Sequence, residues 1–112
     1  MAYRDLKVLD AAERAATLVN ELIDRSPRGT LLHVRQLRDA VQSIVANIRE
    51  GFGREPGGAR NNSLGIASGE TEEAIGHLKA NFRASRIAPS DYWPIRNLLV
   101  VIEKMVSELR ES

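Results

Sequence analysis

The stretch "SIVANIREGFGRE", Ser43 to Glu55, decides how the chain reads. Ile44, Ile48 and Phe52 recur every fourth position, which places them on one side of a helix. Gly51 and Gly53 then close it, and one of them is expected to adopt the left-handed conformation that caps many helices. Ser43, Asn47 and Glu50 form a second row at the same helical spacing. Three uses fit such a polar row: a catalytic site, a nucleic-acid reader, or the seam of an assembly.

Upstream of that stretch the same helix is predicted to begin at Thr30 or Leu31. Val34, Leu37, Val41, Ile44, Ile48 and Phe52 make its apolar stripe. Thr30 suits the N-cap, because its hydroxyl can accept an orphan backbone N–H. On a wheel of about 100° per residue, Gln36, Ser43, Asn47, Glu50 and Arg54 fall in one narrow sector. Arg35, Arg38 and Arg49 fall in another. A bundle helix needs one buried face and one wet face, so the polar row between them is expected to have a use.

The flanking segments are helical too. Leu9, Ala12, Ala16, Val19 and Ile23, widened by Leu22, predict a helix from Arg4 to Arg25 that Pro27 and Gly29 interrupt. After the loop "REPGGARNN", a third helix is expected from Asn61–Ser63 to Arg86. Its inner face is Leu64, Ala67, Thr71, Ala74, Leu78 and Phe82, with Ile75 alongside. Gly65 and Gly69, one turn apart, offer a flat small-residue patch for helix packing. The fourth helix follows "APSDYWP", with Ser90 as N-cap, Asp91 at the positive end of the dipole and Pro94 in the first turn. Its stripe is Ile95, Leu98, Ile102, Met105 and Leu109. No strand-like alternation occurs. Long helices and short loops predict an all-α, antiparallel up-down four-helix bundle forming a single domain over 1–112.

Composition narrows the function. The chain has 112 residues, 16 Lys plus Arg against 15 Asp plus Glu, and no cysteine. A formal charge of +1 argues against wholesale wrapping by nucleic acid but leaves room for a local basic patch. Disulfides, thiolate metal sites and cysteine nucleophiles are excluded. The opening "MAYRDLKVLD" lacks a signal-peptide core, and no apolar run reaches membrane-spanning length. A cytoplasmic protein without membrane contact is the expectation.

The enzymatic reading is thin. Ser43 has no histidine near it in sequence, the chain holds only His33 and His77, and no nucleophile elbow is present. Glu50 and Glu73 could act as acid and base, with His77 beside Glu73 in "EEAIGH". A bundle di-metal site needs a second such set, so an ion pair is the expected use and no metal or cofactor is predicted. For nucleic acid, Arg35, Arg38, Arg49 and Arg54 are the candidates, because guanidinium forks onto phosphate. Arg60 extends them, and Lys79, Arg83 and Arg86 give the third helix a basic end. An ordinary solvated face competes with this reading, since Glu70, Glu72 and Glu73 lie early in that helix and its cations late, as the dipole favours. For the seam, Gln36, Ser43, Asn47, Glu50, Gly69 and Glu73 are the candidates, fixing register between helices or between chains.

"QLRDAVQSIVANIREGFGR" resembles the signature helix of the bacterial four-helix bundle proteins, also called 23S rRNA intervening-sequence proteins. Gln36, Leu37, Arg38, Ala40, Ser43, Ile44, Asn47, Ile48, Glu50, Gly51, Gly53 and Arg54 fit that pattern. "DLKV" at Asp5–Val8 is similar to the family's opening. "LGIASGETEE" is similar to its third-helix motif through Leu64, Ala67, Gly69 and Glu73. Asp39 stands where the family has a second arginine, Arg49 where it has a small residue, and Leu9 and Ser63 where it has aromatics. The resemblance implies a four-helix bundle assembled into a ring-like homopentamer. It also implies kinship with proteins encoded inside ribosomal RNA genes and with non-catalytic accessory subunits of reverse transcriptases. The expected function is a non-catalytic accessory or scaffold protein with weak, sequence-tolerant affinity for RNA or DNA. The alternative is a protein–protein adaptor, for example to a reverse transcriptase, without direct nucleic-acid binding.

Overall fold

The computed structural model describes residues 3–111; the first two residues and the last of the expected domain lie outside them. Four helices account for most of the described chain: α1 (Tyr3–Arg25), α2 (Val34–Phe52), α3 (Gly58–Arg83) and α4 (Pro89–Glu111). No strand occurs among the described residues. Contacts join α1 to α2, α2 to α3, α3 to α4, and α4 back to α1, with none across either diagonal among the described residues. The bundle is therefore a square of antiparallel neighbours, 43 × 21 × 20 Å.

Each helix sends one stripe to the centre. Val8, Val19, Leu37, Ile44, Ile48, Leu64, Leu78, Leu99, Ile102 and Val106 are fully buried. On α2 and α3 the buried stripe follows the apolar spacing closely. On α1 it is rotated by one position, to Val8, Ala12, Ala15, Val19 and Leu22, leaving Leu9, Ala16 and Ile23 on the shoulder. On α4, Leu99 and Val106 go inside while Leu98 and Met105 flank them. A corner helix touches two neighbours, so its apolar sector is wider than one stripe, and docking sets which edge is deepest.

Several helix ends differ from expectation. Thr30 does not cap α2, which starts at Val34 after His33 in left-handed geometry (φ 55°, ψ 37°) with no side-chain cap. The cause is tertiary. Asn81 on α3 accepts from the Leu32 N–H at 2.7 Å and donates to the Leu32 carbonyl at 3.0 Å, holding that segment out of the helix. Neither Gly51 nor Gly53 is left-handed; Gly53 stays helical at φ −78° and its N–H bonds to the Arg49 and Glu50 carbonyls. The positive φ falls instead at Gly57 (φ 144°, ψ −161°), an extended conformation that only glycine adopts readily, and α3 begins at Gly58, earlier than expected. It stops at Arg83, before Arg86, where Ser85 turns left-handed (φ 58°) and the Arg86 N–H reaches back to the Asn81 carbonyl. Ser90 lies inside the first turn of α4 rather than capping it, and Pro94 lies inside the helix.

The glycine patch on α3 does not receive another helix of the chain. A Cβ on Gly69 would meet open space, and one on Gly65 would meet only the Arg110 guanidinium at 3.4 Å. The glycine of close approach is Gly51, where a Cβ would stand 3.0 Å from Leu64 Cδ2.

Candidate nucleic-acid and assembly interface

Helix α2 carries most of the candidates, and its two neighbours split them. On the α1 side, Arg38 donates to Asn20 Oδ1 at 2.8 Å and to Asp24 at 2.6 Å. Arg49 pairs with Glu13 at 2.5 Å. These are links between helices, and they put a carboxylate on each guanidinium. Arg35 is nearly fully exposed and stands 4.0 Å from Asp39 one turn on, and Arg54 bonds Glu50 at 2.8 Å. All four arginines proposed for phosphate thus face an acidic group. Arg60 is half-buried at 3.7 Å from Asp5 and lies 5.4 Å from the centre of the Phe52 ring.

The polar row bonds along its own helix. Asn47 donates to the Ser43 carbonyl at 2.9 Å and to the Ser43 hydroxyl at 3.1 Å, and Glu50 takes Arg54. None of these bonds crosses to another helix of the chain. Ser43 and Asn47 are half-buried, while Gln36, Glu50 and Gly69 are exposed.

Glu50 does not meet Glu73 and His77. Gly51 stands beside Leu64, so Glu50 is level with the start of α3, roughly 12 Å along the axis from Glu73. Glu73 and His77 do come together, at 4.0 Å, and the His77 ring lies 5.0 Å from that of His33. His77 Nε2 is buried without a hydrogen-bond partner. Glu70 sits next to this group. Burial raises its pKa above the usual glutamate value, with Glu73 and then Asp39 adding to the shift. Among the described residues no three histidine or carboxylate side chains are grouped to hold a metal. The α1–α2 turn encloses an open hollow of about 590 Å³, floored by Ile23, Pro27, Leu31 and Val34. Glu50, Glu73 and His77 do not line it.

Sequence reasoning missed three contacts. Asn81 is one, since a lone asparagine late in a helix carries no signal of the loop it holds. Ser68 donates to Glu103 at 2.6 Å and Ser107 to the same oxygen at 3.2 Å, tying α3 to α4. Arg25 and Asp91, at 2.6 Å, join the end of α1 to the start of α4, and that bond raises the Arg25 pKa further. The "DYW" of 91–93, in the first turns of α4, was the visible hint of an aromatic corner. Tyr92 stacks on Phe82 at 4.0 Å, with Trp93 edge-on to both.

Fold and surface together define a small four-helix bundle with paired charges on its α1–α2 face and a polar row on α2. The model of the 23S rRNA-intervening sequence protein family matches residues 4–108, and the chain belongs to that family. Its fold is similar to that of a protein of unknown function from the S23 ribosomal protein family of Bacteroides thetaiotaomicron VPI-5482. The two are 24% identical, with a TM-score of 0.88 over 97% of this chain and 99% of the other. No curated protein matches the chain.

Proposed function

We propose that the chain is a non-catalytic, homo-oligomeric bundle serving as an accessory or scaffold protein. The observation that carries this reading is the outer face of α4. Val100 and Val101 are 38% and 48% exposed there, although Leu99, Ile102 and Val106 already complete the inner stripe of that helix. Two successive half-exposed valines that the core does not need give another protein an apolar surface to cover. The Ser43–Asn47 pair adds support, because a polar row satisfied within its own helix can be covered without orphaning a donor. The resemblance noted above adds a homopentameric ring as the assembly. Separation of Glu50 from Glu73 favours a role without turnover chemistry. Light scattering at micromolar protein is expected to report an oligomer, and a clean monomer would overturn the reading.

Within this function we place weak, salt-sensitive affinity for RNA or DNA. A ring repeats each cationic patch, and linked weak sites gain avidity with no new contact. The second reading, a protein adaptor such as a reverse-transcriptase subunit, is favoured by the pairing of Arg38 and Arg49 with carboxylates. Those pairs leave little free positive charge on that face for phosphate. Fluorescence anisotropy with mixed RNA and DNA at low salt separates the two. Absence of any shift well above micromolar protein leaves the adaptor reading standing.

A further inference from the structure

Several cations have no acidic partner among the described residues, and four of them lie towards one end of α3 and α4. Lys79, Arg83, Arg86 and Arg96 take part in none of the salt bridges of the described residues. The fold gathers them. Gly65 and Ser68 meet Arg110 and Glu103, so this side of α3 faces α4. Steps of three and four carry the same side onward through Glu72 and Gly76 to Lys79 and Arg83. On α4 the matching row runs back from Glu103 to Arg96 and Trp93, with the exposed Val100 at its outer edge. Phe82 lies 5.9 Å from Trp93, so the end of α3 and the start of α4 are level. The Arg86 backbone is tied to Asn81 at the same end.

The centre of this corner is Trp93, 47% exposed and backed by the stacked Phe82–Tyr92 pair. The Arg96 guanidinium lies 5.7 Å from its ring centre. Acidic groups are kept away. Asp91 is held by Arg25 towards α1, and Glu72 is two turns down α3 from Lys79, about 10 Å. An exposed, braced indole with Arg96 beside it and further unpaired cations at the same end of the bundle suits an unstacked base with its flanking phosphates. A duplex hides its base faces and suits the corner less.

We propose that the α3–α4 corner is a single-stranded nucleic-acid site, in which a base stacks on Trp93 while Lys79, Arg83, Arg86 and Arg96 take the adjoining phosphates. The proposal rests on the nucleic-acid part of the function above and moves it off the α1–α2 arginines.

Trp93 is the only tryptophan, so its fluorescence, excited apart from the two tyrosines, reads this corner alone. The full chain is titrated at low salt with a single-stranded uridine RNA oligomer, its thymidine DNA counterpart and a DNA duplex, with anisotropy followed in parallel. Quenching by one or both single strands, stronger than by duplex, is expected. Trp93→Ala should weaken binding on the order of tenfold and Trp93→Phe much less, with unchanged circular dichroism and oligomer size. Arg83→Glu with Arg96→Glu should remove most binding and flatten the salt dependence by roughly 0.7 per lost phosphate contact. Arg38→Glu with Arg49→Glu should bind normally. If anisotropy reports binding without quenching, if duplex binds as well as single strands, or if only Arg38→Glu with Arg49→Glu loses affinity, this site is wrong while nucleic-acid binding survives. A Trp93→Ala protein of altered oligomer size assigns the residue to the seam and also overturns the site. No binding to any probe removes both.

Discussion

Asn81 is 1% exposed and spends its amide on three backbone groups: the Leu32 N–H, the Leu32 carbonyl and the His77 carbonyl. Asn81→Ala removes the partner of the N–H and carbonyl of half-buried Leu32 and opens a gap in the bundle, so destabilisation of about 2 kcal/mol is expected. Urea unfolding checks it, and a loss under about 0.5 kcal/mol would mean that water replaces the amide. Glu70 gives a prediction of the opposite sign. Its carboxyl is raised by burial and by Glu73 and Asp39. A raised folded-state value means that the folded chain holds the proton after the unfolded chain has released it. Stability from this group is therefore full below the ordinary glutamate value and is lost as pH rises through the folded value. Glu70→Gln should raise the melting temperature at neutral pH, and the gain should vanish in acid. An equal gain at both pH values would rule out charge as the cause.

At the scale of helices, the glycines of α2 and α3 separate into two kinds. Gly51 is buried where a Cβ would crowd Leu64, itself fully buried and unable to move aside. Gly51→Ala should therefore cost about 1–2 kcal/mol, overpacking outweighing better helix propensity. Gly69→Ala meets open space and should stabilise the isolated chain by about 0.5–1 kcal/mol. Thermal melts compare the two. If Gly69→Ala also lowers the oligomer mass in light scattering, Gly69 lies against a neighbouring subunit. The cross-helix pairs Arg38–Asp24 and Arg49–Glu13 lie largely in solvent, so each adds little to stability, and their main effect is to neutralise the face.

For the whole molecule, the α4 surface is the testable claim. Val100→Glu with Val101→Glu adds charge to side chains that the bundle does not bury. The variant should keep its helical content and lose its oligomer mass. A retained oligomer would send the search for the seam to the Ser43–Asn47 side of α2. No helix of the described residues is long and apolar enough to cross a membrane.

Periodicity alone determined the number of helices, their all-α class and the inward stripes of α2 and α3. That information is local, because a side chain's direction along a helix follows from its position in the chain. Even the Glu73–His77 approach was readable, being one turn apart on one helix. The helix ends were not, because Asn81 holds Leu32 across 49 positions and fixes where α2 can start. Nor was the state of the arginines. Sequence places Arg38 and Arg49 on a polar sector, but only the docking of α1 against α2 brings Asp24 and Glu13 to them. Docking of α3 against α4, likewise invisible in the sequence, braces Trp93 on Phe82 and leaves its ring exposed beside Arg96. Whether a charge is free depends on distances between helices, and those are set by how the apolar stripes settle together.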